Sequence, residues 1–145
     1  MGARHDDGMV KQVCFFRKRP DMTADEFMDY YERQHSQLSK RLGRSSSMPG
    51  AVRYVRRYLV PETNPVTGRV IDPGFDCIME IWWNNRGDFE RSQRIIADPQ
   101  RLPATKEDEL KLFASHDNPI CTVVEYDSPM GPNGEATRVE VRHGD

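Results

Sequence analysis

The chain has 145 residues, of which 37% are apolar and 30% charged, with a formal net charge of −2. This length fits one domain with a sizeable core, the apolar residues fall in separate blocks as in a folded chain, and the near-neutral balance excludes the cationic footprint of a nucleic-acid binder. No stretch approaches the roughly 18 apolar residues of a membrane-spanning helix.

Residues 1–9 carry no periodicity and no signal-peptide core, and are expected to be a loose N-terminal arm of a cytoplasmic protein. Residues 9–18 are β-rich, with Val13 and Phe15 on one face and Cys14 and Phe16 on the other. Because both faces are apolar, this strand needs cover on two sides. Residues 23–42 predict one amphipathic helix. Thr23 and Glu26 form a capping box, Met22 and Phe27 stand at the positions of a hydrophobic staple, and Phe27, Tyr30, Tyr31, Gln34, Leu38 and Leu42 share a face. His35 falls at the edge of that face. Gly43 and Pro49-Gly50 close the connection to a second strand, 51–60, in which neither side is cleanly apolar.

Residues 61–74 are rich in Pro, Gly, Asn and Thr and form a long excursion. The third strand, 75–83, is the most apolar run of the chain, and Asp76 and Glu80, four apart within it, share one face. Asp88 is expected to cap a helix to about residue 97 with Phe89, Ile95 and Ile96 inward. A further helix, 104–115, carries Leu110, Leu112 and Phe113. A last strand, 120–126, ends a domain spanning 10–127. Residues 128–145 form a tail or an added edge strand, with weak alternation at 137–141. Cys14, Cys77 and Cys121 each lie in a strand-like run with no CxxC or HExxH spacing, so buried thiols in a reducing compartment are expected rather than disulfides or zinc.

Strand, helix, strand, strand, helix, strand is the split βαβ order of α+β, ferredoxin-like domains. Four antiparallel strands with helices on one face leave an apolar face bare, and packing it on a second copy predicts a homodimer.

His35 is the leading catalytic candidate, because imidazole serves as acid or base near neutral pH. The alternative is a helix-edge histidine bonded to a loop carbonyl. Asp76 and Glu80 can pair with Arg17, Arg56 or Arg57, whereas an Asp76 facing the helices would orient His35 or act as the base itself. Tyr31, Tyr54, Tyr58 and Trp82 are core residues or aromatic contacts to a ligand. His116 is a surface residue or one at the mouth of a pocket. No nucleotide, flavin or NAD fingerprint and no metal triad is present, so an enzyme built on this chain is expected to need no cofactor.

The segments FFRKRPDMT, EFMDYYERQHSQL, FDCIMEIWW and EDELKLF together resemble the EthD family of the dimeric α/β-barrel superfamily, over 10–126. The most specific pieces are Tyr31 and His35 in YxxxH, and Phe75, Asp76, Glu80 and Trp82 in the third strand. The resemblance implies a ferredoxin-like fold, dimerisation through the sheet, and a small-molecule pocket between sheet and helices. It leaves the reaction open, since the superfamily holds monooxygenases, isomerases, lyases and polyketide cyclases. Three functions follow as expectations. One is a cofactor-independent lyase, isomerase or cyclase acting on an aromatic or polyketide-like molecule through His35 and Asp76. The others are an accessory binding protein of an oxidative degradation pathway and a monooxygenase, haem-binding or cofactor-free.

Overall fold

The computed structural model describes residues 8–136 with their side chains and residues 2–5 and 139–140 as backbone. The order of elements is β1 (Gly2–His5), β2 (Val10–Phe16), α1 (Ala24–Arg33), a 3-10 turn (His35–Gln37), α2 (Leu38–Arg41), β3 (Ala51–Tyr58), β4 (Thr63–Asn64), β5 (Arg69–Val70), β6 (Cys77–Trp83), α3 (Arg86–Ile96), α4 (Leu102–Glu109), β7 (Ile120–Thr122), β8 (Glu125–Asp127) and β9 (Val139–Glu140). The main sheet is antiparallel in the order β3-β6-β2-β7. The fold is therefore α+β and ferredoxin-like, as the element order predicts. Among the described residues no helix is long and apolar enough to cross a membrane.

Parity along the strands divides the sheet into two faces. Gln12, Cys14 and Phe16 of β2 and Cys77, Ile81 and Trp83 of β6 are buried against the helices. Val13, Phe15, Ile78, Glu80 and Trp82 take the opposite face. The uneven pattern of β3 has a physical cause. Ala51 pairs with Trp83 and Arg53 with Trp82, so Val52 is an extra residue, a bulge that resets the alternation and leaves Val52 exposed. Beyond it Tyr54 and Tyr58 turn toward the helices.

Helix α1 begins as its sequence predicts. Thr23 Oγ1 accepts from the Glu26 N–H at 3.1 Å and Glu26 Oε1 accepts from the Thr23 N–H at 2.9 Å. Thr23→Ala is expected to cost about 0.5–2 kcal/mol, measured by urea unfolding. A cost indistinguishable from zero would show that docking of Phe27 and Tyr31 alone fixes this helix. The predicted single helix 23–42 is, however, broken at Gln34. Ser36 Oγ donates to the Glu32 carbonyl at 2.7 Å, a side-chain bond that competes with the helical ladder, and the backbone tightens to a 3-10 turn that carries His35. The break removes Leu42 from the apolar face, and it is 48% exposed.

Other boundaries move for comparable reasons. Asn85, not Asp88, caps α3, its Oδ1 accepting from the Asp88 N–H at 2.8 Å. The helix buries Phe89 and Ser92, with Ile95 and Ile96 half-buried. Helix α4 starts at Leu102, with Pro103 in its first turn, and stops at Glu109. Leu112 and Phe113 are buried beyond its end, while Leu110 is exposed. The last strand is split: β7 joins the main sheet, whereas β8 pairs with β1 and β1 with β9 in a small separate sheet. The expected loose arm thus contains a strand, and the expected added strand of the tail is represented by Val139–Glu140; Thr137, Arg138 and Val141 lie outside the described residues. The excursion 61–74 forms the exposed β4–β5 hairpin. Cys121 lies exposed in edge strand β7, unlike the buried Cys14 and Cys77.

Candidate active site

A cavity of about 740 Å³ opens between the inner face of the sheet and the helices. Its floor comes from Gln12, Cys14 and Phe16 of β2, Tyr54 of β3, and Met79 and Ile81 of β6. Burial holds the Cys14 thiol up at about 11, so it stays protonated near neutral pH. Gln12 is buried but satisfied, its Oε1 accepting from Trp83 Nε1 at 3.0 Å and its Nε2 donating to Cys14 Sγ at 3.4 Å.

His35 stands on the wall, presented by the 3-10 turn. Its Nδ1 lies 2.7 Å from Asp108 Oδ2. Asp108 comes from α4 and is buried. Its Oδ1 also accepts from the Tyr30 hydroxyl at 2.6 Å and from Arg41 Nη1 at 3.5 Å. Burial by itself would raise the Asp108 carboxyl, but the bonds from His35 and Tyr30 and the charge of Arg41 outweigh it and hold the group below the usual carboxylate range. An ionised carboxylate only accepts, so the proton on His35 sits at Nδ1, and Nε2 is the nitrogen left for chemistry. The imidazole is also clamped by rings, edge-on to Tyr31 at 5.0 Å and to Phe113 at 5.3 Å between centroids.

Beside this dyad the Tyr54 hydroxyl donates to the Tyr31 hydroxyl at 3.1 Å. Burial raises Tyr31 well above the ordinary phenol value and Tyr54 to about 12, so both remain neutral. The pair is thus a neutral hydroxyl couple on the cavity floor, with Tyr31 fully buried and Tyr54 half-buried. At the rim, His116 Nδ1 donates to Glu109 Oε2 at 2.9 Å, and both line the cavity. Among the described residues no group of three or more His, Cys, Asp and Glu could hold a metal ion.

The structure thus gathers His35, Tyr31, Tyr54 and His116 of the expected residues around one cavity and leaves the others outside it. The expected pairing of His35 with Asp76 is not formed. Asp76 lies at the end of β6, where its Oδ2 accepts from the Lys18 N–H at 2.8 Å. Glu80 shares its parity and faces away from the helices, bonded to Arg57 Nη1 at 2.9 Å. Trp82 lies on the same outer face under Lys11 and Arg53. Tyr58 faces the helices but does not line the cavity, its hydroxyl donating to Glu32 Oε2 at 2.6 Å. Arg56 and Arg17, the other proposed partners of Asp76 and Glu80, are taken by Glu32 and Asp72. Asp108 was not singled out by its sequence, since it sits in the charged run Lys106 to Glu109. The available signal was its position four before apolar Leu112, which places the two on one face if the helix expected over 104–115 is taken as continuous.

Over residues 19–117 the chain matches the family model described as the EthD domain. Solved structures with a similar fold include a hydroxynitrile lyase from Passiflora edulis, at 14% identity over 83% of this chain and 95% of that one, with a TM-score of 0.49. An EthD-like protein from Ralstonia eutropha JMP134 is 16% identical over 84% and 92%, with a TM-score of 0.48. An ethyl tert-butyl ether D family protein from Bacillus halodurans C-125 is 14% identical over 84% and 99%, with a TM-score of 0.45. Comparison with curated proteins gives no match. With more than half its length inside the family match, the chain belongs to the EthD domain family.

Proposed function

We propose that the chain is a cofactor-independent lyase, isomerase or cyclase that moves a proton on an aromatic or polyketide-like small molecule bound in the cavity. The observation that carries this reading is the 2.7 Å contact between His35 Nδ1 and the buried Asp108 carboxylate at the cavity wall. Held in this tautomer, His35 Nε2 takes a proton from a C–H or O–H of the substrate, and Asp108 stabilises the imidazolium that forms. In this reading the neutral Tyr54–Tyr31 hydroxyl couple supplies an O–H donor to oxygen on which negative charge develops. Returning the proton to another atom gives isomerisation or ring closure, and returning it to a departing group gives elimination. Phe16, Tyr54, Met79 and Ile81 supply the apolar and aromatic walls such a substrate needs.

The test is solvent deuterium incorporation, by mass spectrometry, into a panel of aryl and polyketide-like carbon acids. At least one compound is expected to exchange with the native protein and far more slowly with His35→Ala. Exchange indifferent to that substitution, or compounds that bind without exchanging, would leave a small-molecule-binding accessory protein as the reading.

The working species in this proposal is a two-fold dimer joined through the outer face of the sheet. Val13, Phe15, Val55, Ile78 and Trp82 are only half-covered there. Light scattering is expected to give twice the 16.8 kDa of the chain. Ile78→Asp should return the mass to that of one copy, because an unpaired charge would be desolvated at the interface. A native mass of one copy removes the dimer and leaves the cavity unaffected.

A further inference from the structure

The cavity wall beyond His35 is cationic, and the fold builds it deliberately from two segments. After α2 the chain closes in a left-handed glycine cap: Gly43 has φ 64, its N–H donates to the Lys40 carbonyl at 3.1 Å, and the Arg44 N–H donates to the Ser39 carbonyl at 3.0 Å. This turn lays Arg44 over the start of α4. There its Nη1 donates to the Arg101 carbonyl at 3.3 Å and its Nη2 to Thr105 Oγ1 at 3.2 Å. Arg101 donates in turn to the Ser45 carbonyl at 2.8 Å and to Ser45 Oγ at 3.4 Å. Both arginines line the cavity.

Every acceptor in this arrangement is neutral. Arg41, Arg56 and Arg57 each meet a carboxylate, but among the described residues neither Arg44 nor Arg101 has an acidic partner. The first turn of α4 holds no acidic residue either, so its positive end adds to the local potential. Two donors on this wall are enclosed by protein yet find no acceptor among the described residues, Arg44 Nε and Gln93 Nε2. Burial and the neighbouring charge of Arg101 both lower the Arg44 pKa, the signature of a cation short of a counter-charge. A merely solvated basic patch would keep its N–H groups in water. A partly desolvated guanidinium beside a like charge is costly unless an anion neutralises the pair, and a guanidinium fork matches an oxyanion in shape.

We propose that Arg44 and Arg101 form an oxyanion subsite that holds the carboxylate or phosphate of an otherwise apolar ligand, whose body lies along Met79, Ile81 and Tyr54 toward His35. This names the substrate class of the site above and rests on that reading only in taking the cavity as the ligand's place.

Titration calorimetry with 2-naphthoate, 2-naphthyl phosphate and neutral 2-naphthamide tests it. One of the two anions is expected to bind roughly ten-fold or more tighter than the amide, the worth of charge-assisted hydrogen bonds, and which of them wins identifies the oxyanion. The preference should vanish in Arg44→Gln/Arg101→Gln, persist in part in Arg44→Lys, and be untouched in His35→Ala. Equal affinity for all three compounds, absence of binding included, overturns the subsite, as does a preference that survives the double substitution. Should the double variant fail to fold, Arg101→Gln alone carries the same comparison. An anion preference retained where no compound exchanges hydrogen upholds the subsite and removes the acid-base reading. Exchange dependent on His35 with no anion preference does the reverse.

Discussion

Asp108→Asn is expected to lower turnover by roughly 10²–10⁴-fold, the usual worth of a general base held in its working state. The amide cannot stabilise an imidazolium, and it no longer forces the proton of His35 onto Nδ1. His35→Ala should cost a comparable factor, and the double variant should be little worse than the more damaged single one, because the two side chains act as a unit. Additive losses would mean that they serve separate steps. The substitution has a second readout. Because the folded-state carboxyl lies below its ordinary range, its contribution to stability is complete above the unfolded value of about 3.9. It is lost as pH falls through the lower folded value. Urea unfolding at pH 7 and at pH 3 should therefore show a smaller loss on acidification for Asp108→Asn than for the native chain. An unchanged acid response would show that Asp108 is not the ionised partner of His35.

The largest effect on stability is expected from Phe113→Ala. Phe113 is 1% exposed, stacks on Phe16 at 4.2 Å between centroids, and meets the edges of Tyr31 and His35. Removing a ring from so closed a cluster costs about 3–5 kcal/mol, transfer and cavity terms together. Leu110→Ala, three residues away but half-exposed, should stay within about 0.5 kcal/mol. Both belong at one protein concentration, since association would shift apparent stability. The Phe113 change should also slow turnover, because the imidazole loses one of the two rings that fix its plane. A cost under about 1 kcal/mol would show that the cluster recollapses and that Asp108 alone orients His35.

The fold was legible because its signals are local. The capping box at Thr23 and Glu26, the doubly apolar strands and the turn residues between them all act over a few positions, and each occurs where the chain indicates. The site was legible by half. His35, Tyr31 and Tyr54 carry their chemistry visibly, but the partner of His35 lies 73 residues away, beyond any spacing rule. Asp76 attracted the role because its strand is so apolar. Parity correctly set it with Glu80 but could not say on which face, since both faces of β6 are apolar. The bulge at Val52 lies in the register of β3 against β6, and the break at Gln34 goes with the bond from the Ser36 hydroxyl back to the Glu32 carbonyl; hydrophobic periodicity records neither.

Trp82 and Trp83 are neighbours in sequence on opposite faces of β6, so the chain carries two optical reporters that see different events. Trp83 is fully buried beside Phe89 and bonded to Gln12 on the cavity floor, and its emission is expected to be that of an indole in an apolar setting, reached by a ligand through Gln12. Trp82, between two cations on the outer face, is expected to be quiet to a ligand and to respond if a second copy docks there as proposed. Ligand entry and self-association can thus be followed separately in one native protein, without a label, by the colour of its own fluorescence.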